Sequence, residues 1–155
     1  MAPKSCHERA LGLLATRPRT RWELDQRLNR AGFPAEEVDD VLGRLEAVGL
    51  IDDRDFARTY AEHAFRVKRA GARATSTALA SKGISRELAQ EVTKQEPGQE
   101  EARAADLASM AARRLGGLEK AKAFGRVSSL LMRRGFSAET ARRAARQALE
   151  VVEGD

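Results

Sequence analysis

A chain of 155 residues with a formal net charge of +5, 33% charged and only 5% aromatic side chains is long enough for one ordinary domain or for three small units that share interfaces. Its single cysteine, Cys6, excludes an internal disulfide and suits a reducing compartment. No uncharged apolar run approaches the ~18 residues of a membrane span and the first residues lack the apolar core of a signal peptide, so the expected location is the cytoplasm.

Taken in chain order, apolar periodicity and capping residues predict nine helices. The first runs from Cys6 to Thr16 with Ala10, Leu13 and Leu14 on one stripe, and Arg17-Pro18 stops it. Thr20 opens the second: with Glu23 it makes a capping box, and Trp22, Leu24 and Leu28 are its apolar positions before Gly32. Glu36 to Val48 is the third, closed by Gly49. Asp52 or Asp53 caps a fourth that reaches about Arg69, with Phe56, Tyr60, Ala64 and Val67 as its buried stripe and Gly71 as its stop. A fifth covers Ala72 to Lys82 and Ser85 starts the sixth, before Gln95-Glu96-Pro97-Gly98 breaks the chain. Gln99 to Leu115, Leu118 to Arg134 and Ala138 to about Val152 complete the set. In the eighth, Phe124, Val127, Leu130 and Leu131 face inward while Lys122, Arg126 and Arg133 fall on the other side. No alternating apolar run is long enough for a strand. The fold class is therefore all-α.

One phrase recurs: leucine, three residues, glycine, then a bulky apolar residue, at Leu28 to Gly32-Phe33, Leu79 to Gly83-Ile84 and Leu131 to Gly135-Phe136. The glycines lie 51 and 52 residues apart, and each is followed by Pro34, Ser85 or Ser137 and then by Glu36, Glu87 or Glu139. Each copy reads as helix, glycine stop, new helix, with a first-turn carboxylate on the helix dipole. A copied unit of this length predicts three tandem three-helix repeats, residues 1–51, 52–96 and 97–155, stacked into an elongated, curved array that works as a surface rather than a cleft.

Catalytic chemistry finds no foothold. His7, His63 and Cys6 fail the usual zinc spacings, Asp52, Asp53 and Asp55 lack the calcium loop's spacing and closing glutamate, and Gly116-Gly117 lacks the Lys-Ser/Thr of a phosphate loop. No metal, cofactor or enzymatic activity is expected. Charge is the remaining signal. Residues 1–52 carry eight basic and nine acidic side chains, 53–105 ten and eight, 106–155 ten and six. Between Arg113 and Arg146 ten basic residues face two acids, Glu119 and Glu139, so a polyanion is the expected partner class. The candidate contact residues are Arg113, Arg114, Lys122, Arg126, Arg133, Arg134, Arg142, Arg143 and Arg146, with Arg66, Lys68, Arg69 and Arg73 in the middle unit. Scarce aromatics argue against base stacking as the main mode.

The segments "LLATRPRTRWEL", "LNRAGFPAEEVDDVLGRLEAVGLIDDRDFA", "LASKGISRELAQEV" and "LMRRGFSAETARRA" together resemble the RecX family, regulatory proteins of the RecA recombinase, nearly end to end, and Leu50-Ile51-Asp52-Asp53 to Phe56-Ala57 is the most distinctive match. Thr75 and Ala78 stand where the family pattern has isoleucine and glutamate, and Thr93 to Ala105 has little counterpart. The resemblance implies three three-helix repeats without catalytic activity that bind the RecA filament on single-stranded DNA and inhibit ATP hydrolysis and strand exchange. It offers no catalytic motif to carry over. The expectation is thus a monomeric, non-enzymatic regulator in recombination and DNA repair. The alternative is a free-standing nucleic-acid-binding protein that uses the same arginines on phosphates.

Overall fold

The computed structural model describes residues 2–154, and among them are nine α-helices and no strand. They are α1 Cys6–Thr16, α2 Arg21–Arg30, α3 Ala35–Ala47, α4 Asp53–Arg66, α5 Ala72–Ser81, α6 Arg86–Thr93, α7 Gln99–Arg114, α8 Lys120–Arg133 and α9 Ala138–Gly154.

Side-chain caps fix many of the starts. Ser5 Oγ accepts from the Glu8 amide (3.1 Å), Ser85 Oγ from Leu88 (3.2 Å) and Ser137 Oγ from Thr140 (3.1 Å). Asp52, not Asp53, caps α4, its Oδ1 accepting from the Asp55 amide at 3.0 Å, while Asp53 takes the Arg21 amide at 2.9 Å. The Thr20–Glu23 capping box forms reciprocally, and the buried Thr20 hydroxyl also donates to the Lys82 carbonyl at 2.6 Å. Burial pushes the Glu23 carboxyl up, but the Thr20 amide and the Arg17 guanidinium, helped by the charge of Lys82, outweigh it and hold it below the ordinary glutamate value. Pro34 precedes α3 without a side-chain cap, its fixed φ sufficing for the turn into the helix.

The stops explain the recurring phrase. Phe33 N donates to Leu28 O (3.3 Å), Ile84 N to Leu79 O (3.1 Å) and Phe136 N to Leu131 O (3.1 Å), and the glycine between has φ of +99°, +83° and +97° respectively. This is the Schellman stop: the residue after the left-handed glycine bonds back to the carbonyl of C3, and those two side chains touch. Leucine is therefore required at C3, where Leu28, Leu79 and Leu131 are fully buried. A fourth copy, Leu45 to Gly49-Leu50, ends α3 the same way, with Gly49 φ at +81° and Leu50 N donating to Leu45 O at 2.9 Å. It lies off the 51–52 residue period, so the phrase marks a helix stop and the period marks the repeat.

By packing, the described chain forms two compact units. The first comprises residues up to Tyr60 together with Leu79–Val92; the second comprises Ala61–Ala78 and everything from Thr93 onward. In the first, α1, α2 and α3 close over Cys6, Ala10, Leu24, Leu28, Val38, Val41, Leu42, Leu45 and Ile51, and a smaller cluster of Ala57, Leu79, Ile84 and Ala89 has Phe56, Tyr60, Leu88 and Val92 against it. In the second, α7, α8 and α9 pack around a core rich in alanine, with Leu107, Val127, Leu131, Phe136 and Leu149 as its larger members.

Several readings change in the structure. Trp22, an apolar position of α2, is 46% exposed, with its Cβ and Cγ against Gly83. Of the expected α4 stripe Ala64 is buried, with Ala57 and Ala61 beside it, whereas Phe56 and Tyr60 are half-buried and stack at 6.4 Å and Val67 is exposed. Val67 lies past the end of that helix, which stops at Arg66 because the chain turns at Arg69, a non-glycine residue in the left-handed region (φ +49°). Gly71 does not stop α4. It sits where a Cβ would come within 2.3 Å of the Gly135 carbonyl oxygen, so close backbone approach dictates this glycine.

Candidate partner-binding surface

All thirteen candidate basic residues fall in the second unit, which places the stretch around Arg66, Lys68, Arg69 and Arg73 in one body with the nine from Arg113 to Arg146. The junction is specific. The Gly71 amide donates to the Arg134 carbonyl at 2.7 Å, and Arg134 Nη1 donates to the Lys68 carbonyl at 2.6 Å. The 67–71 loop is thereby tied to the C-terminal end of α8.

Helix α8 carries the cleanest part of the surface. At 100° per residue, Lys122, Arg126, Ser129 and Arg133 fall within one narrow arc, and all four are exposed. From Lys122 to Arg133 the arc runs about 16 Å along the axis. The helix contains no Asp or Glu. Among the described residues, Lys122, Arg126 and Arg133 have no ion-pair partner. Lys122 also stands in the first turn, where the helix dipole favours a carboxylate and the N-cap Glu119 gives no side-chain bond. Helix stability thus does not account for a cation there.

Two grooves of this unit hold other candidates. On the side of α8 that carries Phe124, opposite the stripe, Arg146 of α9 lines a groove of about 650 Å³ with Glu119, Lys120, Leu149 and Glu150. Arg66 and Arg69 line another of about 550 Å³ with Glu62, Phe65 and Asp106. Arg73 is another cation in a helix's first turn, that of α5, where the carboxylate of Glu100 is recruited from α7 to accept the Ala72 amide at 2.6 Å.

The remaining candidates divide by what already holds them. Arg143 pairs with Glu139 at 2.7 Å on the same helix, and Glu139 and Glu150 share the exposed arc of α9 with Arg142 and Arg146, so that face is mixed in sign. Arg113 and Arg114 end α7, where the dipole alone rewards a cation. Arg134 has its guanidinium engaged by the loop.

One arginine of this unit was missed by the sequence reading. Arg103 lies 4.2 Å over the Phe65 ring and donates Nε to the Ala70 carbonyl at 3.1 Å. Burial, against the opposing pull of Glu100 and Glu101, lowers its pKa. It latches the 65–70 segment to α7 and so positions Arg66 and Arg69. The departure at Thr75 has a similar local reason: its buried hydroxyl donates to the Gly71 carbonyl at 2.9 Å. Among the described residues no group of His, Cys, Asp and Glu is placed to hold a metal ion, and no helix is long and apolar enough to cross a membrane.

Models of the first and second three-helix domains of RecX match residues 6–45 and 52–92. The regulatory protein RecX of Streptomyces coelicolor is 37% identical over 141 residues, covering 90% of this chain and 75% of that protein. The chain belongs to the RecX family. Regulatory protein RecX of Thermobifida fusca is 32% identical over 154 residues, covering 96% of this chain and 83% of its own. The crystal structure of RecX from Lactobacillus salivarius superposes with a TM-score of 0.78 at 20% identity, over 94% of this chain and 95% of that one, so the helical RecX fold is shared. These relatives are named as regulatory proteins.

Proposed function

We propose that this chain is a non-enzymatic inhibitor of the RecA recombinase, acting in the cytoplasm as a monomer on the RecA filament assembled on single-stranded DNA. Its basic track lies along the negatively charged groove of that filament. Occupying the groove excludes duplex DNA and hinders the subunit motions that accompany ATP turnover, so ATP hydrolysis and strand exchange slow without chemistry by the inhibitor. The copied units are the three repeats 1–51, 52–96 and 97–155, and the third, with the 66–73 stretch docked beside it, presents the contact residues.

The observation that carries this reading is the α8 stripe: three exposed cations without acids or ion-pair partners, on a member of a family of regulatory proteins. Exposed charges cost little to leave solvated, but they contribute little to stability either. Their concentration on one face is accounted for by a polyanionic partner.

DNA-dependent ATP hydrolysis by the cognate recombinase, titrated with the full chain, tests the proposal. Hydrolysis is expected to fall at substoichiometric amounts, because one bound inhibitor obstructs more than one recombinase subunit. Unchanged hydrolysis at equimolar protein rejects it. If the chain instead binds single-stranded DNA alone, with affinity falling steeply with salt, and leaves ATP turnover untouched, the free-standing nucleic-acid binder is the correct description.

A further inference from the structure

The first unit holds a second concentration of arginines that the regulatory surface above does not use. Arg9 and Leu13 of α1 face Arg27 and Arg30 of α2, with its C-cap Ala31, across a groove of about 330 Å³. Each set sits at helical i, i+3 or i+4 spacing, so both helices present a continuous edge to it. Among the described residues, Arg9, Arg27 and Arg30 have no ion-pair partner; Arg27 and Arg30 stand in the last turn of α2, where the helix dipole also favours a cation, whereas Arg9 lies in α1, away from its C-terminal turn.

Behind the groove lies a buried cation. Arg19 is only 8% exposed; its Nε donates to the carbonyl of Leu13 at 3.0 Å and its Nη2 to Thr16 Oγ1 at 3.1 Å, while its Nη1 has no hydrogen-bond partner. Burial first, then the charges of Arg17 and Arg27, depress its pKa, with Glu23 opposing, which places Arg27 within electrostatic reach of it. Glu23 is itself committed, to Arg17 at 3.2 Å and to the Thr20 amide at 3.1 Å. A buried guanidinium without a carboxylate of its own, within reach of the unpaired Arg27 that lines the groove, adds to a positive field that an anion would neutralise.

We infer that this groove between α1 and α2 is a binding site for a diphosphate-type anion, two linked phosphate groups, supplied either by a nucleic-acid backbone or by a free diphosphate. Arginine forks match phosphate oxygens in pairs, and several can converge on one phosphate, whereas a single carboxylate is satisfied by one fork. At about 330 Å³ the groove is roomier than one oxyanion requires. No aromatic lines the groove to stack a base, so recognition is of the phosphates. The inference does not rest on the recombinase reading, since it concerns other residues and needs no recombinase to test.

The test uses the full chain alone, with inorganic pyrophosphate, a short oligothymidylate and hexaglutamate as probes, followed by calorimetry and by amide chemical shifts. Pyrophosphate is expected to shift the amides of α1 and α2, and Arg27→Gln with Arg30→Gln to weaken it roughly tenfold or more. Arg9→Gln alone, on the opposite helix, should weaken it measurably as well. Reversing the α8 stripe should leave it unchanged. If oligothymidylate binds the same amides more tightly than pyrophosphate, the source is a nucleic-acid backbone; if it does not, the source is a free diphosphate. Shifts confined to α8, indifference to the α1 and α2 variants, or hexaglutamate binding as tightly as pyrophosphate would overturn the assignment.

Discussion

Reversing three charges on one helix, Lys122→Glu with Arg126→Glu and Arg133→Glu, will remove inhibition of the recombinase while leaving the helical circular dichroism intact. The three side chains are exposed and unpaired, and substitutions at such positions usually move stability by no more than about 0.5 kcal/mol. Lys122→Glu has the opposite sign for folding, because a first-turn carboxylate is favourable by roughly 0.3–1 kcal/mol. Binding and stability are thus expected to change in different directions. Each cation removed from a phosphate contact lowers the salt slope by about 0.7–0.9, and three reversals on one face should weaken filament association on the order of a hundredfold. Reversing Arg142 and Arg146 should do less, since Glu139 and Glu150 already dilute that face. Inhibition by the α8 variant at wild-type potency would show that the stripe is merely a solvated helix face.

The second large effect concerns folding and separates three glycines that look alike in sequence. Gly32, Gly83 and Gly135 all have positive φ, but a Cβ at Gly32 meets nothing within 4 Å, whereas at Gly83 it would lie 2.1 Å from the Trp22 Cβ and at Gly135 2.2 Å from the Ala74 Cβ. Gly32→Ala should cost the left-handed penalty alone, about 1–2 kcal/mol. Gly83→Ala and Gly135→Ala add overpacking, typically a further 1–3 kcal/mol. For a chain of this size each kcal/mol lowers Tm by about 2–4 °C, so the gap is measurable by thermal or denaturant unfolding. Equal losses at all three positions would mean that the glycines serve the helix stop and nothing else.

The helices were legible because their ends are written in local chemistry. Serine, threonine and aspartate caps and Schellman glycines act within a few residues, so the readings at Thr20, Ser85 and Ser137 follow from sequence without tertiary knowledge. What failed was non-local. Trp22 reads as an apolar position of α2, yet it stays half-exposed with its Cβ and Cγ against Gly83, 61 positions away. The stripe of α4 includes Ala64 as its spacing implies, but Ala57 and Ala61 are buried beside it while Val67 is exposed. Gly71 read as a stop when its constraint is the backbone at Gly135. The surface behaved likewise. Counting charge located the basic residues, but only packing puts Lys68 beside Arg134, and the absence of carboxylates within α8 distinguishes its stripe from the mixed face of α9. Arg103 carries no sequence signal beyond its identity, because its role depends on Phe65 and Ala70, more than thirty positions away.

Thiol footprinting in the middle of the stripe tests the location of the interface most directly. The one native cysteine, Cys6, is buried, and burial followed by the charge of Glu37 raises its thiol pKa, so it reacts slowly with a maleimide. Ser129→Cys places a reactive thiol between Arg126 and Arg133, and Asp40→Cys places one on exposed α3 as the control. On saturation with the recombinase filament on single-stranded DNA, the account predicts that modification at position 129 slows by roughly tenfold or more, as expected where a partner excludes solvent, while position 40 keeps its free rate. An unchanged rate at position 129 with inhibition intact would contradict it.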